Sequence, residues 1–155
     1  MWIPPEDKDP VLYHEPTRDK VGYFGAIRVR DGKLAYRRET GMFNGETFWE
    51  FLKQLRQASS RSGRKVVVVL DNVRYHHAVL HKEWRISCND DFRLEFLPAY
   101  SPELNSIERL WKLTRRLCLH NTYFESLDQV IATVEEQFEA WAKPNETVRR
   151  LCAVI

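Results

Sequence analysis

Four consecutive valines and a leucine, Val66 to Leu70, stop abruptly at Asp71-Asn72. An uninterrupted β-branched run of this kind predicts a strand over Lys65 to Leu70 that is buried on both faces. What flanks it must therefore include elements able to cover a sheet. Upstream, Val11 to His14 is a short candidate strand. Lys20 to Arg30 alternates around Val21, Tyr23, Gly25, Ile27 and Val29, Asp31-Gly32 marks a tight hairpin turn, and Lys33 to Arg38 runs back. Asn44 is a good helix N-cap, and Phe48, Phe51, Leu52 and Leu55 at helical spacing predict an amphipathic helix from Gly45 to about Ser59. The polar stretch Ser59 to Arg64 closes it.

Downstream, a helix is predicted over Ala78 to about Ser87, and a short strand over Leu94 to Leu97, ended by Pro98. After the loop Ala99 to Asn105, Ser106 can cap a helix whose apolar face is Ile107, Leu110, Trp111, Leu113, Leu117 and Cys118. Ser126-Leu127-Asp128-Gln129 is a capping-box pattern. It opens a helix through about Ala142, with Val130, Ile131, Val134, Phe138 and Trp141 inward. Pro144 interrupts, and a short helix can finish the chain. The order predicts a mixed α/β domain.

The 155 residues suit one domain with a real core, and 43% hydrophobic with 30% charged residues read as globular. A net charge of +2 is too small to argue a nucleic-acid partner, so any DNA surface must be a local patch. Cys88, Cys118 and Cys152 are odd in number and far apart, which favours a reduced, cytosolic setting over a disulfide framework. Cys118 and Cys152 lie among aliphatic residues and read as small core residues. No apolar run approaches a membrane span, and the first residues lack the form of a signal peptide.

Two carboxylates can carry chemistry. Asp71 directly follows the most apolar strand, and in open α/β sheets ligands bind beyond the carboxyl ends of strands. It can equally be a turn residue or the cap of the next helix. Glu108 sits in the first turn of a helix, where the dipole favours negative charge with or without a further role. Arg109, Lys112, Arg115 and Arg116 follow on that helix. Glu108, Lys112 and Arg115 share a stripe that suits a metal site handling phosphates, or a solvated salt-bridged face. His77 and His81, at i and i+4 with His76 nearby, offer a weak zinc alternative that lacks a third ligand at diagnostic spacing. His76 can instead point toward Asp71 or cap the helix. Phosphate-loop, dinucleotide-binding and nucleophile-elbow motifs are absent.

The stretch Val67 to Asn72, then His76-His77, then Leu94 to Trp111 (LEFLPAYSPELNSIERLW) resembles the DDE nuclease domain of bacterial insertion-sequence transposases of the mariner superfamily. The family pattern is a strand ending in Asp-Asn and a segment "LPxYSPxLNPIExxW" whose Glu is the last catalytic acid. Thirty-six residues lie between Asp71 and Glu108, close to the family spacing, and Ser106 replaces a common proline. Lys20 to Ala26 and Trp2 to Pro5 also resemble family segments. The resemblance implies an RNase H-like mixed sheet flanked by helices. It also implies three acids holding two Mg²⁺ or Mn²⁺ ions about 4 Å apart, and cleavage and joining of DNA at transposon ends and target. By position Asp71 is the second acid and Glu108 the third, both metal ligands. Asn72 and His76 are neighbours of the site, and Arg109, Lys112, Arg115 and Arg116 meet phosphates.

The family's first acid lies on a first, central strand upstream of the Trp-Pro turn. Asp7, Asp9, Asp19 and Asp31 do not match it, so residues 1–155 are expected to be an N-terminally shortened catalytic domain without the helix-turn-helix domains. Two readings follow. The chain is one part of an active transposase, completed by an upstream segment or a second chain. Otherwise it is an inactive fragment acting only in DNA binding or oligomerisation. Two acids fall short for tight two-metal binding, which favours the second for the chain by itself. An RNase H-like hydrolase unrelated to transposition explains the strand and the carboxylates but not the Pro-x-Tyr-Ser-Pro stretch. A bacterial, cytoplasmic location on the nucleoid is the corresponding expectation.

Overall fold

In this computed structural model of the protein, residues 11–14, 19–60 and 63–153 are described. The segment Trp2 to Pro5 and the residues Asp7 and Asp9 lie outside them. By contacts the chain divides into a first unit, 1–40 with 106–155, and a second unit, 41–105.

The first unit is built on an antiparallel sheet of β1 (Val11–His14), β2 (Asp19–Arg28) and β3 (Lys33–Glu39), in the order β1-β2-β3. The β2–β3 connection is longer than the two-residue turn expected at Asp31-Gly32. Arg28 pairs with Lys33, leaving Val29 to Gly32 as a four-residue turn. The Gly32 N–H donates to the Arg28 carbonyl at 2.8 Å, and the Arg28 guanidinium grips Asp31 at 2.5 and 2.8 Å. Gly32 takes φ +76°, and a Cβ there would lie 2.3 Å from the Asn145 carbonyl oxygen, so only glycine fits. Val29, expected within the alternating strand, falls in this turn and is 63% exposed.

Helices α3 (Ser106–Thr114), α4 (Leu127–Trp141) and α5 (Glu146–Cys152) complete this unit. Its core joins Val21, Tyr23 and Leu34 of the sheet to Leu110 and Trp111 of α3. Val130, Val134, Phe138 and Trp141 of α4 and Val148 and Cys152 of α5 fill the rest. Tyr23 packs edge-on to Phe138 at 5.1 Å while its hydroxyl donates to Glu135 at 2.9 Å. Burial, then that carboxylate, pushes the Tyr23 phenol above its ordinary pKa. Ser126 caps α4 through the Gln129 N–H, and the Gln129 side chain reaches back to the N–H of Glu125, one residue earlier than a strict capping box. Asn145 caps α5 by accepting from the Val148 N–H.

Ser106 is the first residue of α3 rather than its cap. The helix widens into a π turn over Arg115–Leu119, closed by the His120 N–H on the Arg115 carbonyl at 3.0 Å. The wider turn changes the phase of the apolar stripe. Cys118 stays buried, whereas Leu117, expected inward, is 56% exposed.

The second unit holds α1 (Gly45–Ser59), β4 (Val66–Leu70), α2 (Lys82–Ser87) and β5 (Phe92–Phe96). Asn44 and Thr47 form a reciprocal capping box at the start of α1, and Phe48, Phe51, Leu52 and Leu55 are its buried face. Strands β4 and β5 pair in parallel, from Val66 opposite Phe92 to Leu70 opposite Phe96. The expectation that β4 is buried on both faces fails. Leu70 is buried, but Val67 and Val69 are 43% and 57% exposed. Among the described residues β4 pairs with β5 alone, so its second edge carries no strand. The helix expected from Ala78 starts later, because Ala78 is extended at ψ 138° and two 3-10 turns, Arg74–His77 and Val79–His81, precede α2. No helix among the described residues is long and apolar enough to cross a membrane.

Gly25 of β2 lets Trp111 of α3 lie directly on the sheet, since a Cβ there would meet its ring at 2.6 Å. Gly25→Ala is expected to destabilise the chain by about 1–3 kcal/mol through overpacking. Urea unfolding monitored by tryptophan fluorescence measures this, and an unchanged midpoint would contradict the packing described.

Candidate active site

Asp71 leaves the end of β4 at the point where the parallel pair is last tied. The Leu97 N–H donates to the Leu70 carbonyl at 2.7 Å, and the Asn72 amide donates to the Leu97 carbonyl. The chain after Asp71 then turns sharply, with the Val73 N–H 3.4 Å from an Asp71 carboxylate oxygen. This is the turn role that the sequence left open, and it leaves the carboxylate about one third exposed. A rigid base with partial access to solvent suits a carboxylate that meets a ligand.

Two histidines fix the pair. His76 Nδ1 lies 2.9 Å from the Asp71 carbonyl oxygen and 3.2 Å from its carboxylate. Its ring leans on Phe48 of α1 at 4.4 Å between centroids. His77 Nε2 lies 3.1 Å from the Asn72 side-chain oxygen, and its ring stacks on Phe96 at 4.0 Å and 21°. Asp71, Asn72 and His76, singled out from the sequence, are therefore brought together in the second unit. The bracing by Phe48 and Phe96 had no sequence signal beyond their apolar positions.

The zinc alternative fails on His81. This side chain is fully buried, its Nε2 faces the Tyr75 carbonyl at 3.0 Å, and its Nδ1 accepts from Arg85 at 2.9 Å. Both ring nitrogens are occupied, which leaves none for a metal. Burial first, then the charge of Arg85 and the neighbouring His76 and His77, lowers the His81 pKa against the raising effect of the Tyr75 bond. The ring is a buried link between the 3-10 turn and α2. Cys88, Cys118 and Cys152 are all buried, and burial raises each thiol pKa, so they are core residues and poor thiolate ligands.

Glu108 lies in the first turn of α3 in the first unit and is half-buried. Arg109 donates from Nη1 to the Leu151 carbonyl at 2.8 Å, which ties α3 to the last turn of α5. Lys112 and Arg116 are exposed, and Arg115 is half-buried at the start of the π turn. The stripe read from the sequence thus holds both an internal clamp and solvent-facing cations.

An antiparallel sheet with helices in the first unit and a parallel strand pair with helices in the second make a mixed α/β chain. Residues 2–131 match the DDE superfamily endonuclease family, and the chain belongs to it. It is similar to the catalytic domain of the Mos1 mariner transposase, with a TM-score of 0.74 and 18% identity over 94% of this chain and 72% of that one. A structure of the same catalytic domain with raltegravir and Mn gives a TM-score of 0.71 at 20% identity, over 94% of this chain and 73% of that one. Among sequences, an uncharacterized protein of Sinorhizobium fredii is 30% identical over 112 residues, 70% of this chain and 75% of that protein. The insertion element IS630 uncharacterized 39 kDa protein of Shigella sonnei is 29% identical over 92 residues, 59% of this chain. The match spans only 26% of that protein's length.

His81 makes stability depend on pH. Its folded pKa lies below the unfolded value, so the unfolded chain binds more protons and stability rises with pH between the two. The contribution is complete above roughly pH 6.5 and is lost as pH falls through the folded value. The urea midpoint is expected to drop on acidification from neutral pH, and to drop less in His81→Gln. An equal drop in both would show that His81 is not the titrating group.

Proposed function

We propose that this chain is part of a transposase nuclease domain that acts on DNA strands at insertion-sequence ends, with Asp71 and Glu108 as its second and third catalytic acids. The observation that carries this reading is the carboxylate of Asp71, held at the carboxyl end of β4 by His76 and the Val73 N–H. The loop Leu97 to Ser106, which follows β5 and precedes Glu108, lies within the family match. Solved relatives include Mos1 transposase catalytic domains with Mn and with Mg, a Mos1 strand transfer complex and a paired-end complex with the left transposon end. The IS630 and transposase-complex relatives are much longer than this chain, so activity and partners are carried over here as proposals.

The fit to a metal is partial. Asp71 and Glu108 offer hard oxygen donors, the type that Mg²⁺ and Mn²⁺ take. Among the described residues, no group of three or more His, Cys, Asp or Glu could hold an ion. The donor type fits and the donor count does not, so no cleavage step is assigned to this chain by itself. In a complete site the ions would stabilise the attacking and leaving oxygens of the phosphate. The remaining acid would come from a segment whose strand pairs along the edge of β4 that carries no strand among the described residues. Asn72 and His76 keep Asp71 in place, and Arg109, Lys112, Arg115 and Arg116 meet backbone phosphates. Arg109 has its structural bond to Leu151 besides. The second reading, DNA binding or pairing with a transposase without cleavage, is favoured by the same short donor count.

Nicking of supercoiled plasmid in Mg²⁺ or Mn²⁺ tests the assignment. The chain by itself is expected to leave plasmid intact, and adding a segment with the first catalytic strand is expected to restore nicking. Asp71→Asn or Glu108→Gln should then lower the rate by about 100-fold or more. Nicking that survives both substitutions would overturn the acid assignment, and failure to restore nicking would favour the binding-only reading. For the cations, Lys112→Ala and Arg116→Ala should each reduce the salt slope of DNA binding by about 1 without changing Tm. Arg109→Ala should lower Tm as well, because α5 loses its clamp.

A further inference from the structure

Tyr100 combines two features that oppose each other in an ordinary loop residue. Its side chain is 98% exposed, and its backbone takes φ +58°. The left-handed region is uncommon for residues other than glycine, asparagine and aspartate, and a bulky residue there is strained. Strain of this kind is usually offset by burial, yet the Tyr100 ring packs on almost nothing.

The residues around it are well tied. Three residues earlier, Leu97 is bonded to Leu70 and to Asn72, so the loop starts beside Asp71. One residue later, the Ser101 hydroxyl donates to the Ala99 carbonyl at 3.4 Å, and the Leu104 N–H donates to the Ser101 carbonyl at 3.1 Å to close a 3-10 turn. A fixed loop therefore holds one aromatic ring in solvent, within about 10 Å of chain from Leu97, whose N–H is bonded to the Leu70 carbonyl next to Asp71. The exposed His77, stacked on Phe96, offers a second flat surface at that same strand end.

We propose that Tyr100 stacks on an unpaired nucleobase of the DNA strand presented to Asp71. The inference rests on the DNA reading above and adds to it a contact that phosphate-binding cations cannot make. Every base has a face on which an aromatic ring can stack, so the contact tolerates sequence but requires an unstacked base. Duplex DNA, with its bases inside the stack, does not offer it.

The test uses the full chain in EDTA with a single-stranded oligodeoxynucleotide containing 2-aminopurine, and a blunt duplex of the same sequence. Single-strand binding is expected to quench the 2-aminopurine. Tyr100→Phe should keep the affinity. Tyr100→Asn and Tyr100→Gly, which suit the left-handed backbone but lack the ring, should weaken single-strand binding by roughly 5- to 150-fold. Both should leave duplex binding unchanged and Tm unchanged or raised. A purely structural Tyr100 predicts the opposite pattern, with lower Tm and equal losses on both DNAs. Binding indifferent to the ring overturns this inference alone. No DNA binding by the unsubstituted chain overturns it together with the reading on which it rests.

Discussion

The hydrogen bond from the Leu97 N–H to the Leu70 carbonyl is the junction on which the second unit's site depends. It ends the parallel pair at one level, so Asp71 and the Pro98 loop leave the sheet side by side. Asn72 repeats the tie from its side chain, and the two histidines of the next turn then fasten Asp71 and Asn72 in sequence. Each histidine is braced by an aromatic ring from a different element, Phe48 of α1 for His76 and Phe96 of β5 for His77. A carboxylate held this way loses little freedom when a ligand arrives, which is what a preorganised site requires.

Strand β4 explains both why the family was legible and why the fold expectation was too strong. A run of valines satisfies the pattern for a covered central strand, but sequence records the preference and not whether a cover is supplied. Here β5 pairs with one edge, and alternate valines on one face remain in solvent. An exposed apolar edge is a liability that folded chains normally charge, shorten or cover. Strand β4 is kept short, at five residues, and among the described residues it pairs only with β5.

Local chemistry was legible wherever one residue type decides the outcome. Asn44 starts α1, Ser126 starts α4, and Asp71 and Glu108 fall where strand and helix ends place them. Features decided by distant packing were not. The phase of α3 slips because a π turn begins at Arg115, and nothing in Arg115–Leu119 announces it. His81 looks like half of an i, i+4 metal pair until Tyr75 and Arg85 are seen to take both its nitrogens. Arg109 reads as one of four equivalent cations until α5 folds back to offer the Leu151 carbonyl.

Among the described residues, two other than glycine take positive φ, and their contrast bears on how the chain uses strain. Asn121 takes φ +56° at the third position of a turn closed by the Thr122 N–H on the Leu119 carbonyl at 3.3 Å. Asparagine tolerates that conformation through its short polar side chain, so this position is filled by a residue for which the strain is small. Tyr100 is placed at nearly the same angle, with a side chain that has neither that tolerance nor a buried surface to offset it. The same backbone demand is therefore met with little strain where it only turns the chain after α3 and with more strain beside Asp71. A difference of that kind is hard to assign to folding, because glycine or asparagine would serve the loop better. It points to a use for the ring outside the chain.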